Sequence, residues 1–530
     1  MTKLGRVWRH LPTILAFGLL AFQAVLPWLS LGYVTQDGPS HLYTAHVAKE
    51  LLFGGASSPY ASVYEFQSKL VTNWSTVVVM NVAALLFGPR DAEHAFASLC
   101  VVLGFFGLSY LRRSLDPRVS PWSPVTNFLL CSWFLWIGFY NFYLGMAILP
   151  FVLGYYIRHW RALDPRKAVI LALGLLLLFF THVLAVGLAL LAMGFVAVWG
   201  CFAMTRPVTL RPLVWTTAAF APSLLLLLLF IRASGQTADY DPGLDWAWRS
   251  FPMHTFASTR GRTGEQTLLM PAMLAYMALG LLGMRRREWL SERAPVFVTA
   301  ALSFALYLLM PNSGFGGDEI KLRFAWAVFL LGCTTAATVA RLQPLRVPIA
   351  IYVAVFLMAT LLHTWRVNVR SVSPAVSAYL GALERIPEGS TVVRLRFPTD
   401  AARLRYGYDL AALEPLFHVD SLAGVRRNLV VLSDYQALAR IFPVGLRPAV
   451  EKADQLWDLE GSDTGAASLR ELLDAPPVRI DYVVILGDQP PSKNAEIYKG
   501  IIEELDTRMR LVYGNSRGAF VRLYQHPGAR

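Results

Sequence analysis

The residue types that can do chemistry first come together at Gln36-Asp37-Gly38-Pro39-Ser40-His41, just beyond the first long apolar run. Asp37 and His41 are four residues apart, one helical turn, so a carboxylate and an imidazole can meet there and share a proton or a cation. Two ligands do not define a metal site, so a divalent cation stays an open possibility. Asp-Gly-Pro is also strong turn chemistry, and either residue can equally be a turn or helix-capping group. A lone carboxylate at such a place suits removal of a proton from a hydroxyl nucleophile.

Whatever holds this segment is built for a bilayer. The 530 residues are 55% hydrophobic and 16% charged, with a mean hydropathy of +0.45, the profile of a polytopic membrane protein. The formal charge of +13 sits in short loops between apolar runs, which is a topology signal and argues against nucleic acid. Cys100, Cys131, Cys201 and Cys333 all lie inside apolar runs, where they read as small buried hydrophobes rather than a disulfide framework.

Lys3, Arg6 and Arg9 precede an apolar run of about 20 residues with no small-residue cleavage site, an uncleaved signal anchor with a cytoplasmic N-terminus. Asp37 then emerges on the far side. Residues 39–53 read as an amphipathic surface helix with an apolar stripe of Leu42, Ala45, Ala48, Leu51 and Leu52. The run 71–87, about 17 residues, is at the lower limit of a span; it reads as a surface or re-entrant helix, because crossing would put Arg112, Arg113 and Arg118 outside.

From there about 11 spans alternate, through 92–111, 124–139, 142–157, two within 168–204, 212–231, 268–284, 295–310, 324–340 and 347–362. The inside loops then hold about twice the Lys and Arg of the outside segments, which supports the orientation. The fold expected is therefore an α-helical polytopic membrane domain over 1–363, with a first outer loop at 32–91. It is followed by an extracytoplasmic α/β domain over 364–530. In that domain 391–397, 429–432 and 482–486 predict strands, and 510–513 with 519–524 a hairpin; helical patterns lie around 373–385, 434–441, 467–474 and 495–508.

No Asp, Glu, Lys or Arg lies near the middle of a span, which disfavours an ion-coupled transporter. Polar residues gather at the outer ends instead: Asp37, His41 and His46, Asn141, Thr181 and His182, the loop 232–266, and Asp318, Glu319, Lys321 and Arg323. Arginine forks suit a phosphate at a membrane surface, so Arg260, Arg262, Lys321 and Arg323 are the available cations. Trp246 and Trp248 suit either an interfacial anchor or a sugar-stacking platform. His182 and Asn141 can bind substrate or serve as structural hydrogen-bonding residues.

The first span, outer-loop acid and surface helix are followed by Leu86-Phe87-Gly88-Pro89-Arg90-Asp91-Ala92-Glu93 and a span ending Leu111-Arg112-Arg113. Together with Gly138-Phe139-Tyr140-Asn141-Phe142-Tyr143-Leu144-Gly145, this resembles the GT-C superfamily of polytopic glycosyltransferases, such as protein O-mannosyltransferases and aminoarabinose transferases. The resemblance covers about residues 1–345 as architecture. It implies a polyprenyl-phosphate-linked sugar donor and transfer on the extracytoplasmic face of the inner (plasma) membrane. Asp37 would be the general base and Arg323 a ligand of the lipid phosphate. Many relatives carry two adjacent acids in the first loop, whereas here Gly38 follows Asp37, which puts a metal-dependent variant in doubt.

The expected activity is hexosyl or pentosyl transfer to a cell-envelope glycan, lipid or protein. His41 or His182 would orient the substrate, Lys321 and Arg323 would steady the leaving phosphate, and the C-terminal domain would help to bind the acceptor. A lipid-linked saccharide flippase, or a non-catalytic envelope assembly protein displaying its outer domain, are the alternatives.

Overall fold

The computed structural model describes residues 3–29, 35–204, 210–234, 263–311, 313, 314, 317, 319–397, 416–439, 441–448, 450, 465–474, 478–487, 495–514 and 521–529. The chain divides into two compact units. One comprises Met1–Pro27, Lys69–Ser75 and Ala97–Thr364; the other comprises Trp28–Ser68, Thr76–Phe96 and Trp365–Arg530.

The first unit is helical. Among the described residues, six helices are long and apolar enough to cross a membrane: His10–Leu29, Ala92–Leu115, Tyr140–Ala162, Val183–Met204, Arg211–Ala233 and Ala340–Arg366. Trp74–Phe87, Pro271–Gly283 and Arg293–Leu309 are shorter apolar helices. At 14 residues, Trp74–Phe87 rises about 21 Å, less than the hydrocarbon core.

The stretch 124–139, expected as one span, is instead two short helices, Pro124–Leu130 and Trp133–Ile137. The break has an identifiable cause. Continuing the helix would use the carbonyls of Leu129 and Leu130 as acceptors for the next turn. Those carbonyls are taken by side chains instead, Trp326 Nε1–H donating to Leu129 O at 2.9 Å and Tyr143 O–H to Leu130 O at 2.6 Å. Ser132 turns extended, and Gly138 ends the second helix with φ at 83°, a left-handed conformation that glycine adopts without a Cβ penalty.

A buried ion pair fastens the opposite end of the first unit. Asp116 accepts from Arg118 Nε and Nη2, both at 3.0 Å, and pairs with Arg293, whose Nε also donates to Thr338 Oγ1 at 2.9 Å. Asp116 and Arg293 side chains are each 6% exposed, so losing Asp116 would strand the buried Arg293 charge at a cost of about 3–5 kcal/mol, whereas Asp116 keeps Arg118 if Arg293 is lost.

The second unit carries the sheets. Strand β1 (Tyr64–Phe66), from the first loop, pairs antiparallel with β4 (Val444–Leu446). Five further strands, β2 (Thr391–Arg396), β3 (Val430–Val431), β5 (Tyr482–Leu486), β6 (Arg510–Tyr513) and β7 (Val521–Gln525), form one sheet in the order β3-β2-β5-β7-β6. β2 runs parallel to both β3 and β5, while β7 is antiparallel to β5 and β6. β5 (YVVIL) and all but the last residue of β2 (TVVRLR) are buried along their length, the apolar pattern of central strands covered on both faces.

The helix Gly38–Gly54 forms where the sequence predicts one, with Pro39 in its first turn. It is not amphipathic in its first three turns. Residues 38–48 are all buried, because Tyr60 and Tyr64 pack edge to face on Tyr43 of this helix and the 429–436 segment closes its polar side. Tyr43 O–H donates to Leu429 O at 3.0 Å while its oxygen accepts from Val431 N–H at 2.8 Å. His46, expected on a solvated face, is buried with Nε2 3.2 Å from Tyr60 OH.

Candidate functional site

Asp37 stands at the N-cap position of the helix Gly38–Gly54, yet its side chain makes no cap hydrogen bond. The turn before the helix is closed by other groups. Glu93 Oε1 accepts from the Thr35 backbone N–H at 3.0 Å and from its hydroxyl at 2.9 Å, and Thr35 Oγ1 in turn accepts from Gly38 N–H at 3.0 Å. A Cβ at residue 38 would lie 2.1 Å from Glu93 Oε1 and 2.4 Å from Thr35 Oγ1. A side chain at residue 38 would therefore displace the Glu93 carboxylate from Thr35.

Relieved of capping, the Asp37 carboxylate faces residues far along the chain. Tyr435 O–H donates to Oδ2 at 3.2 Å, and His418 Nε2 lies 3.7 Å from Oδ1. Asp37 and His418 are buried and Tyr435 is partly buried. Burial, then the nearby Arg394 and Arg396 guanidiniums, hold the His418 ring well below the usual histidine range, so the contact is a neutral imidazole beside a carboxylate and not an ion pair. Burial and then Asp37 itself push the Tyr435 phenol well up, leaving it a hydrogen-bond donor at any physiological pH. His41 packs edge-on against Phe442 at 5.8 Å, and Phe442 in turn against Tyr435 at 6.1 Å.

A second layer fixes this group. Arg394 and Arg396 alternate along β2, both over the Phe417 ring at 4.9 and 4.2 Å. Arg394 also pairs with Asp420 at 3.3 Å, and Asp420 accepts from Ser433 Oγ at 2.7 Å. Ser40 Oγ donates to Asp434, and Thr44 Oγ1 donates to Gln436 Oε1 at 2.8 Å. The first-loop helix is thus stitched to the segment after β3 by hydroxyls on consecutive turns.

None of His418, Asp420, Asp434, Tyr435, Arg394 or Arg396 stands out in the sequence as a site residue. One signal was available: Ser433–Tyr435 directly follows β3, and loops after the carboxyl ends of parallel strands are where open α/β sheets carry function.

A separate cluster lies in the helical unit. Arg323 Nη1 is 2.9 Å from His182 Nε2, and its guanidinium lies over Phe139 at 4.8 Å and Phe142 at 5.4 Å, a cation–π arrangement. His182 also caps the helix Val183–Trp199, Nδ1 taking the Leu184 N–H at 3.1 Å. Asn141 and Lys321 are buried at 4% and 2% exposure.

The 138–145 stretch is thereby accounted for residue by residue. Gly138 makes the left-handed turn, Phe139 and Phe142 carry Arg323, and Tyr143 stacks on Trp326 at 5.2 Å. A Cβ at Gly145 would meet Ala185 Cβ at 2.7 Å, so the glycine lets two helices touch. Arg260, Arg262, Trp246, Trp248 and Asp318 lie outside the described residues. Among the described residues no three His, Cys, Asp or Glu side chains gather as a metal site.

Neither a protein-family model nor a curated protein matches the sequence. Solved structures do match. ArnT from Cupriavidus metallidurans bound to undecaprenyl phosphate aligns over 99% of this chain and 98% of its own, with a TM-score of 0.54 at 11% identity. The same protein in the apo state aligns over 98% of each chain with a TM-score of 0.56, also at 11% identity. The fold is of the GT-C type. The archaeal oligosaccharyltransferase AglB from Archaeoglobus fulgidus, in complex with an inhibitory peptide and a dolichol-phosphate, is matched over 99% of this chain and 75% of its own at 11% identity; its TM-score of 0.43 is too low to argue from. The resemblance read from the first loop and the 86–93 and 138–145 motifs thus holds at the level of fold, and in this chain the acid of the first loop is buried rather than solvated.

Asp434 supplies a test of how the first-loop helix is held. Burial first, opposed by the Ser40 hydrogen bond and reinforced by Asp420, pushes its carboxyl up to about 7. A carboxyl raised in the folded state contributes stability that is full below its ordinary range near 3.9 and is lost as pH rises through the folded value. Asp434→Asn keeps an acceptor for Ser40 but cannot ionise. Its melting temperature relative to the parent protein is expected to climb between about pH 4 and pH 7, by several degrees in all, and to level off above that. A difference that stays flat with pH would rule out a buried, titrating Asp434.

Proposed function

We propose that the protein is an integral-membrane glycosyltransferase that moves a sugar from a polyprenyl-phosphate donor to a cell-envelope acceptor on the extracytoplasmic face. The observation that carries this reading is the Asp37 carboxylate. It is freed from capping its own helix and held buried against the Tyr435 hydroxyl and the His418 ring, in a chain whose fold is that of ArnT. Undecaprenyl phosphate is what that ArnT structure holds, and it supports the donor class here.

In this reading Asp37 accepts the proton of the acceptor hydroxyl as its oxygen bonds to the anomeric carbon. The bond from that carbon to the donor phosphate oxygen breaks, and the electron pair leaves with the polyprenyl phosphate. One displacement inverts the anomeric configuration. The Tyr435 hydroxyl fixes the carboxylate and favours its charged form, and the uncharged His418 ring leaves the negative charge on Asp37 rather than sharing its proton.

Arg323 and Lys321 steady the developing charge of the leaving phosphate. A neutral imidazole accepts at only one nitrogen, yet the His182 ring faces the Leu184 N–H on one side and Arg323 on the other. In this reading Arg323 gives up the His182 contact for a phosphate oxygen as the donor binds. His41 or Asn141 orients substrate. With the broken helix pair at 124–139 counted as one crossing, the membrane domain crosses about 11 times with its N-terminus in the cytoplasm, and residues 364–530 then lie outside.

Asp37→Asn should accumulate to normal levels and lose about 10²–10⁴-fold in turnover, read as loss of the modified envelope glycan; an unchanged glycan would exclude Asp37 as base. Arg323→Gln is expected to raise the KM for a polyprenyl-phosphate sugar about tenfold or more, the worth of a charge-assisted hydrogen bond, and an unaltered KM would remove Arg323 from the donor site. Reporter fusions after Arg113 and after His363 should report inside and outside respectively, and the reverse result at either point would invert the proposed topology.

A further inference from the structure

In the helical unit, a small recess partly open to solvent is lined by two arginines and no carboxylate among the described residues. Arg112 comes from the end of the helix Ala92–Leu115 and Arg346 from the start of Arg346–Val367. Tyr276, Ser120, Ser123 and Gln343 supply further polar groups around the same space. Arg112 is 1% exposed. Its Nη1 donates to Pro121 O at 2.8 Å and its Nη2 to Thr126 Oγ1 at 2.9 Å, while Nε, buried as well, reaches no acceptor. Arg346 is half-buried and its only close acceptor among the described residues is the Trp122 carbonyl, at 3.4 Å.

A buried guanidinium normally has its charge met by an acid, because carbonyls and hydroxyls satisfy donors without cancelling charge. This protein does that elsewhere, setting Asp116 against Arg293. The other charged side chain lining this recess among the described residues is a second cation, Arg346. Two guanidiniums, an idle Nε–H, and serine, tyrosine and glutamine side chains around one recess make an incomplete site. What completes it is an anion with several acceptor oxygens.

We propose that this recess binds a phosphate group, presented either as the headgroup of an anionic lipid or as free phosphate. Arg112 grips it from within and Arg346 closes from the half-exposed side. The site is independent of the sugar-transfer reading, and neither arginine takes part in that chemistry.

The test uses the full chain in a neutral detergent. The melting temperature is followed against short-chain phosphatidylglycerol, short-chain phosphatidylcholine, and inorganic phosphate balanced by chloride at equal ionic strength. All are repeated in Arg323→Gln to set aside binding at that residue. Phosphatidylglycerol acting alone identifies a lipid headgroup, and inorganic phosphate acting as well identifies a soluble ion; in either case Arg346→Gln and Arg112→Gln should weaken the response at least fivefold. Arg346, at the half-exposed side, decides the matter if Arg112→Gln does not fold. No response to either anion, an equal response to phosphatidylcholine, or a response undiminished in Arg346→Gln would overturn the proposal.

Discussion

The orientation of the first-loop acid depends on one crowded contact, the Glu93 carboxylate against Thr35 and the bare Cα of Gly38. An aspartate at an N-cap position ordinarily turns its oxygen back onto the second or third backbone N–H of its own helix. Here Thr35 Oγ1 takes the Gly38 N–H, Pro39 has no N–H to offer, and Asp37 turns away. Its partners then come from residues 418 and 435. The motif Pro89-Arg90-Asp91-Ala92-Glu93 therefore has a mechanical role through its last residue.

The second unit shows how local and distant information divide. The strands at 391–396 and 482–486, the hairpin of β6 and β7, and the helix at 495–508 are set by short-range alternation and turn residues, and each could be read from the sequence within a residue or two. The pairing of β1 with β4 could not, because Tyr64–Phe66 is three residues long and its partner lies at Val444–Leu446. The site follows the same division. Asp37 was legible as an acid beside turn residues at the end of an apolar run, while His418 and Tyr435 are ordinary residues until the fold brings them to it. The surface-helix expectation for 39–53 failed for a related reason. The polar residues Ser40, Thr44 and His46 face buried partners rather than water, and polarity in a sequence does not distinguish a solvated face from a buried hydrogen-bonded one.

In the helical unit the break within 124–139 follows from the same principle applied to the backbone. Hydropathy sees an uninterrupted apolar run, and the helix stops because Trp326 and Tyr143 satisfy the carbonyls that the next turn would need. Aromatic residues in the 138–145 motif and in the helix Ile320–Ala336 thus do two things at once. Tyr143 and Trp326 stack on each other while ending the helix, and Phe139 and Phe142 provide the faces on which Arg323 rests. The motif was recognisable by its glycines and rings; what it holds was not.

The treatment of arginine separates structural from binding sites in this molecule. Arg293 and Arg394 are buried against Asp116 and Asp420, and their positive charge is spent within the fold. Arg112 instead meets only a carbonyl and a hydroxyl among the described residues. Burying a cation with neutral partners is costly unless something negative arrives. A chain that crosses a bilayer has phosphate available at its surfaces, so an arginine held by a carbonyl and a hydroxyl is poised to meet phosphate oxygens, whereas one locked to aspartate is not.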